Sequence, residues 1–321
     1  MRIIIAVACL CLATSTLESK IVFYSNRDRN YEIYTMDSDG TNQTRLGFDY
    51  GPNSMPVWSP NGRQIAFESY REGNREVYVM DADGKKQRNL TRHPALDAFP
   101  SWSPDGSQIV FASARNDGRS GDLNLFVMDA DGGNVRQLTN IDHASRPQWS
   151  ALNGWILFEG YVNKVQLMQE IYVIHPDGVG LKQISQPTNR HKIFASWSPN
   201  SEQILYTETT TFNVDNMFPT IATLDPAGQK VISSELIPIP LKVFQPVTFS
   251  ADGKSILFPG KKQKRWNIYR LHLHNRKLIQ LTNTPFKDVG PHEWNPRLSV
   301  PNQQGLLPQT WGRIKARAVS K

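Results

Sequence analysis

Four histidines are the residues of this sequence whose type and placement come closest to a reactive centre. His93, His143, His191 and His292 each stand a few residues before a tryptophan. Imidazole nitrogens that converge on one point can bind a transition metal. Only His143 and His191 share an offset, six residues before their tryptophans, and no carboxylate accompanies the four at a fixed spacing. The pattern therefore favours solvated loop histidines, and we expect no metal and no cofactor.

A repeated Met-Asp-x-Asp-Gly motif could place two carboxylates around a calcium ion. It stands at Met36 to Gly40, Met80 to Gly84 and Met128 to Gly132. A calcium loop needs further oxygen ligands downstream, ending in a bidentate carboxylate. Lys85 and Lys86 follow one copy instead, and Gly133 and Asn134 follow another. We therefore interpret the motifs as hairpin turns, in which Asp-Gly pairs tolerate positive φ.

Other catalytic signatures are missing from the sequence. It contains no Gly-x-Ser-x-Gly nucleophile elbow and no phosphate-binding or zinc-ligand spacing. The only cysteines, Cys9 and Cys11, lie in the N-terminal segment, so neither disulfides nor thiol chemistry are expected in the rest of the chain. The sequence names no reaction, and we predict that the protein is not an enzyme.

The elements that must position these residues follow from an internal repeat. An isoleucine opens an apolar strand in each unit, with successive spacings of 44, 44, 47, 48 and 52 residues, at Ile21, Ile65, Ile109, Ile156, Ile204 and Ile256. Each unit holds four short strands, which we call A to D: the tryptophan segment, the Ile-x-Phe segment, the Tyr-Val-Met segment and the Leu-Thr segment. A period in the forties with four strands per unit is the signature of a β-propeller blade.

Strand composition and the two ends of the repeat region predict a closed ring. The B strands are apolar on both faces, as expected between neighbouring sheets. Tryptophan recurs once per repeat, with Phe249 in the remaining slot, which indicates packing between blades. The first repeat begins at Lys20 without a tryptophan segment, and Gly290 to Pro296 supplies one at the other end. We therefore predict an all-β, six-bladed propeller of four-stranded antiparallel blades, closed by pairing of the C-terminal strand with the N-terminal blade.

The same residues resemble the TolB-type, WD-like propeller repeat over about residues 20–297. The match rests on Trp-Ser-Pro-(Asp/Asn)-Gly at Trp58 to Gly62 and Trp102 to Gly106, and on the aspartate motifs described above. The resemblance implies a six-bladed propeller that commonly serves as a non-catalytic protein-binding platform in the bacterial cell envelope.

The N-terminal segment predicts the destination of the protein. Residues 1–19 combine one basic residue with an apolar core of about eleven residues, which is too short to span a bilayer as a helix. We interpret the segment as a cleaved export signal, and expect a periplasmic or secreted protein with no transmembrane span. The residues before Cys9 and Cys11 do not favour lipid attachment.

The positive charge is local. The net charge is +7, and +10 of positive charge comes from Arg2, from the loop Lys261, Lys262, Lys264 and Arg265, and from the basic tail 298–321 with Arg297. The rest of the disc is therefore slightly acidic, and no nucleic-acid partner is expected. The basic loop or the tail could make a peripheral contact with an anionic surface.

Irregular loops indicate a binding surface. The A–B and C–D turns are short and uniform, so function is expected on the opposite face, among the B–C loops and D-to-A crossings. Blades four and five depart most from the pattern there, and we expect a long irregular B–C connection from Thr207 to Phe218 in blade five. Aromatics, methionine and arginine are enriched at interface hot spots, so we predict that a protein or peptide binds at Tyr161, Phe212, Met217, Phe218, Arg146, Arg190, His143 and His191. The alternative is a carbohydrate-binding or metal-dependent, lyase-like polysaccharide-degrading propeller that uses the histidines at the channel mouth.

Overall fold

A computed structural model describes residues 19–47, 51–115, 122–161, 168–210, 216–243, 246–294 and 296. The predicted export signal, apart from its last residue, the tail 298–321 and Phe212 lie outside these ranges. The described residues form six antiparallel sheets, which confirms the predicted six-bladed all-β propeller. None of them belongs to a helix long and apolar enough to cross a membrane.

Each blade runs from an inner strand A to an outer strand D. The A strands are β4 (Asn53–Trp58), β8 (Asp97–Trp102), β12 (His143–Trp149), β16 (His191–Trp197), the split pair β20 (Lys242–Val243) and β21 (Thr248–Phe249), and β25 (Asp288–Trp294). The B strands are β1 (Lys20–Ser25), β5 (Gln64–Ser69), β9 (Gln108–Ser113), β13 (Ile156–Tyr161), β17 (Gln203–Thr209) and β22 (Ser255–Lys262).

The outer half of each blade is built from a long C strand and, in most blades, a very short D strand. The C strands are β2 (Glu32–Asp37), β6 (Glu76–Asp81), β10 (Asn124–Asp129), β14 (Glu170–Ile174), β18 (Phe218–Leu224) and β23 (Arg265–His272). The D strands are β3 (Thr44–Arg45), β7 (Arg88–Asn89), β11 (Arg136–Gln137), β15 (Lys182–Gln183), β19 (Val231–Leu236) and β24 (Leu278–Gln280). Blade five is the exception, because its outer strand has six residues.

The ring closes as predicted. Strand β25 pairs antiparallel with β1, with Lys20 opposite Trp294 and Ser25 opposite Asp288. The indole N–H of Trp294 donates to the carbonyl of Pro60 at 3.0 Å, so the closing strand also contacts blade two. Closure by the last strand removes the open seam that a ring of separate sheets would otherwise leave.

The core lies between the sheets. All six strand-opening isoleucines are fully buried, and the hydrophobic clusters join residues of adjacent blades. The repeated hydroxyl residues hold the strands in place. Thr139 of a Leu-Thr pair accepts a hydrogen bond from Leu125 N–H and donates to Asn124, both at 2.9 Å. Ser103 of a Trp-Ser-Pro segment donates to Asp105 at 2.7 Å and accepts from Gln108 N–H at 2.9 Å.

The connection in blade five differs slightly from the prediction. We expected an irregular stretch from Thr207 to Phe218, but β17 continues to Thr209 and β18 begins at Phe218. The reason is that alternation of buried residues extends the ladder, with Thr207 and Thr209 buried beside half-buried Glu208.

Candidate functional site

Five inner strands carry a β-bulge at the same point. The antiparallel register shifts there, and one residue of each bulge has positive φ: Met55 (49°), Phe99 (56°), Arg146 (49°), Phe194 (57°) and Gly290 (61°). A bulge re-aims a side chain out of the regular alternation of a strand. In the irregular sector it brings side chains of blades three, four and five together.

Arg146 is at the centre of this group. Its guanidinium carbon lies 4.7 Å from the ring centroid of Phe99 in blade three and 4.5 Å from that of Phe194 in blade five. The same guanidinium forms an ion pair with Glu159, whose side chain is fully buried. Glu159 also accepts the N–H of Phe194 at 2.7 Å. Arg146 therefore joins three blades, and most of its surface is already used.

A buried carboxylate also accepts the bulge N–H of the next blade between blades two and three. Buried Glu68 accepts the N–H of Phe99 at 2.9 Å and the hydroxyl of Ser54 at 3.1 Å. Tyr24 lies nearby, and burial, helped by the charge of Glu68, raises the pKa of its phenol. The bulged inner strands, which we call the inner wall, thus hold charged groups that contact the bulges.

The four histidines accept or share hydrogen bonds within the fold. His93 Nδ1 accepts Ala95 N–H at 3.1 Å, and His191 Nδ1 accepts Gln169 N–H at 3.3 Å. His143 stacks on Tyr161 at 5.2 Å and lies 3.1 Å from the hydroxyl of Ser145.

Burial shifts two of these histidines toward the neutral form. It lowers the pKa of His191, and it lowers the pKa of His292 to about 4. In the described part of the chain, no group of three or more His, Cys, Asp or Glu side chains is placed to hold a metal ion.

Two of the predicted binding residues line a groove on the loop face of blade five. Met217 and Phe218 form one wall, and the crossing 236–243 into blade six forms the other, around a volume of about 410 Å³. The guanidinium of Arg190 lies 4.7 Å from the ring of Phe218 and 3.8 Å from a carboxylate oxygen of Glu208. The groove is lined mainly by apolar side chains and prolines.

The predicted site residues that the structure describes therefore fall into four places. Arg146 lies in the inner wall, His143 and Tyr161 form a stacked pair, and His191 accepts a hydrogen bond from the neighbouring loop. Met217 and Phe218 line the groove, and Arg190 lies beside it on the ring of Phe218. Our sequence prediction missed the crossing 236–243, although its Leu-Ile-Pro-Ile-Pro-Leu run is an unusually apolar connection between two strands.

An arginine clamp in the B–C loops of blades one to three was also missed. Each arginine covers the ring of the strand C aromatic and contacts the start of strand A: Arg27 with Tyr34 and Asp288, Arg71 with Tyr78 and Asn53, and Arg115 with Phe126 and Asp97. Blades four to six have Val162, Thr210 and Lys262 at the equivalent positions. The signal was a Ser-x-Arg triplet after each of the first three B strands. Loss of the clamp coincides with the irregular loops.

Solved structures with a similar fold come from proteins of different activities. TolB from Acinetobacter baumannii superposes with a TM-score of 0.71 at 16% identity, over 86% of this chain and 66% of that one. A nidogen/laminin complex gives a TM-score of 0.67 at 12% identity, over 87% of this chain and 99% of the other. An oligogalacturonate lyase in complex with manganese gives 0.56 at 13% identity, over 81% and 72%. At these identities the likeness shows the fold alone.

The sequence comparison is more specific. No curated protein matches the chain. The family model of the TolB beta propeller domain matches residues 47–230, which is more than half of the sequence and includes the inner wall of blades two to four. This match agrees with the six-bladed ring and with the repeated turn and hydroxyl motifs that hold it. The chain belongs to the TolB beta propeller domain family.

Proposed function

We propose that this protein is a non-catalytic, exported propeller of the bacterial cell envelope that binds a protein or peptide in the groove of blade five. Residues 1–19 act as the export signal in this proposal, residues 20–297 form the binding domain and residues 298–321 form a basic tail. Membership of the TolB beta propeller domain family supports the protein-binding role at a coarse level. The groove is the observation that carries it further.

The groove has the composition of a peptide site. Leu236 is 52% exposed, and Pro238 and Pro240 are also exposed beside Met217 and Phe218. Apolar side chains gathered in a concavity, and not scattered over the surface, favour recognition of an apolar segment. Prolines hold the crossing in one conformation, so a partner loses less entropy on binding than it would against a flexible loop.

The outer strand of blade five adds a second element. Strand β19 is six residues long and leads directly into the groove at Leu236. A long outer strand offers backbone hydrogen-bonding groups to an extended peptide, and pockets beside it supply the preference for side chains. This combination favours an extended peptide or a loop of a protein partner over a small molecule.

The lyase-like alternative has less support. The histidines on which it depends accept hydrogen bonds within their own region of the fold. Oligogalacturonate lyase is similar in fold, but at 13% identity this similarity does not indicate a shared activity.

The test is affinity capture from crosslinked envelope extract with the chain from Lys20. The groove variant combines Met217→Ser with Leu236→Ser. The control variant combines Val179→Ser with Leu152→Ser, which are exposed apolar residues outside both the groove and β19. We expect one partner recovered with the wild type and the control, and at least tenfold weaker binding of that purified partner to the groove variant. Unchanged affinity in a folded groove variant contradicts the proposed site.

A further inference from the structure

A second cavity lies on the other side of the blade-six hairpin. Strands β22 and β23 form this hairpin. On the groove side, β22 pairs with β20, whose two residues line the groove. On the other side, Trp266 of β23 forms a parallel β-bridge with Lys287. The cavity has a volume of about 400 Å³ and is lined by Asn26, Lys261, Lys264, Trp266 and the crossing 285–287. We call it the lysine pocket. Three of its residues are lysines and none is an acid.

The walls of the lysine pocket are held in place before any ligand arrives. Lys287 N–H donates to the side-chain oxygen of Asn26 at 2.8 Å, and Asn26 N–H donates to the carbonyl of Lys287 at 3.3 Å. The hairpin turns through Gln263 and Lys264, which both have positive φ between the paired residues Lys262 and Arg265. Such a two-residue turn matches the twist of its strands and fixes where the lysines start.

The positive charge of the lysine pocket is not neutralised by the protein. Among the described residues, Lys261, Lys264 and Lys287 form no ion pair with a carboxylate. The adjacent carboxylate, Asp288, is fully buried and is bound by Arg27 and Thr284, each at 2.8 Å. Three ammonium groups around one concavity repel one another, so an anion that enters gains attraction to all three.

The cavity also offers apolar surface. Phe286 is 42% exposed beside Pro285, and the ammonium of Lys261 lies 5.7 Å from the ring centroid of Trp266. We propose that the lysine pocket binds an acidic oligosaccharide. Its carboxylates pair with the lysines, which act as point charges without the fixed fork of arginine. The C–H faces of its sugar rings pack on Phe286 and Pro285.

The shape of the site favours this ligand over other polyanions. The lysines converge on a concavity, whereas a flat anionic membrane would be met by a flat basic surface. A nucleic acid would need a basic track along its phosphates. Residues 20–296 without the basic loop have a net charge of −2, so they provide no such track.

Calorimetry with a tetramer of mannuronate at low ionic strength tests the proposal, with neutral mannotetraose as the uncharged probe. The pocket variant combines Lys264→Gln with Lys287→Gln. The control combines Lys262→Gln with Arg265→Gln, which removes the same charge from the same hairpin outside the cavity. We expect binding of the acidic tetramer only, a loss of at least tenfold in the pocket variant and less than twofold in the control. Phe286→Ala should weaken binding without any change of charge.

Three results would overturn the proposal. Equal weakening in the pocket and control variants would indicate diffuse charge attraction and no site. No binding of the tetramer to the wild type would exclude this ligand class. Binding of phosphatidylglycerol vesicles that the pocket variant loses, with no binding of the tetramer, would assign the cavity to a membrane surface. Because the blade-five groove is intact in every variant, these outcomes are independent of the proposed peptide site.

Discussion

The backbone N–H of Trp58 donates to Nδ1 of His292 at 3.2 Å, which ties the inner strand of blade two to the strand that closes the ring. His292 is half-buried, and desolvation lowers the pKa of its imidazole to about 4. A proton on Nδ1 would remove the acceptor and place a charge in a poorly solvated site. The seam between the last strand and blade two therefore requires the neutral imidazole.

The first prediction is a loss of stability in acid that depends on His292. In the unfolded chain a histidine binds its proton near pH 6.5, whereas in the folded protein it stays neutral down to about pH 4. Between these values the unfolded state binds more protons, so the free energy of unfolding falls as the pH falls. The loss approaches about 3 kcal/mol, at about 1.4 kcal/mol per pH unit.

Urea unfolding at pH 7.5 and pH 4.5 measures this loss. His292→Asn keeps an acceptor for Trp58 but cannot titrate, so the difference between the two pH values should shrink by most of that amount. His274→Asn changes an exposed histidine and serves as the control. Equal acid sensitivity in the wild type and His292→Asn would show that other groups carry the effect.

The second prediction concerns the glycines of the C–D turns, which set the spacing between blades. Gly84 has φ +85° and a Cβ there would overlap the carbonyl oxygen of Leu46 in the preceding blade. Gly73, in the B–C loop of the same blade, has φ +97°, and a Cβ added to it would have no other atom within 4 Å. Alanine at positive φ costs about 1–2 kcal/mol at either site. Gly84→Ala should therefore lower the melting temperature at least twice as much as Gly73→Ala, and equal shifts would mean that the blades do not meet through this contact.

The third prediction tests the arginine clamp. The carboxylate of Asp97 is fully buried and is bound by two nitrogens of Arg115, at 3.2 and 2.7 Å. Arg115→Ala leaves this charge unpaired, so we expect the free energy of unfolding to fall by about 3 kcal/mol. Adding Asp97→Asn should restore a large part, because an amide is less costly to bury than a carboxylate.

A matched surface pair provides the control for the clamp. Lys85 and Asp83 lie 2.8 Å apart, but their side chains are 79% and 55% exposed. Lys85→Ala should change the unfolding midpoint in urea very little, since solvent screens such a pair. A similar small change for Arg115→Ala would refute the clamp as a stabilising element.

The repeat could be predicted from the sequence because each unit meets the same surroundings. Ile65 and Ile109 occupy equivalent central strands, so both must be apolar and β-branched. The turn residues Asp83 and Gly84 mark the hairpins for a similar local reason. Closure of the ring could be predicted by counting strands. The first repeat lacks its inner strand, and the sequence after the last repeat supplies one.

The site could be predicted only in part, since its geometry depends on contacts that no residue type announces. Met55 and Phe99 are not residue types that favour positive φ. The bulge imposes this conformation on the residue at that position, whatever its type. Arg146 was predicted as a residue of the binding surface, but its partners Glu159 and Phe194, which hold it in the inner wall, come from strands that the sequence alone does not bring together. Loop composition varies between blades, so it carries no period from which a contact can be inferred.

The last prediction asks whether the closing strand is the weakest part of the ring. Gly290 has φ +61° and lies against the ring of Tyr24, which a Cβ would overlap. Gly253 has a similar φ of +69°, and its nearest neighbour is Pro199 at 3.4 Å. Both alanine variants meet the backbone cost, but only Gly290→Ala should force β25 away from β1.

A strand that pairs ends distant in sequence has the least local support, so it should open before the other blades. Hydrogen exchange should then become at least tenfold faster in β1 and β25 of Gly290→Ala, with blades three and four unchanged. Faster exchange spread evenly over all blades would show instead that the ring unfolds as one unit.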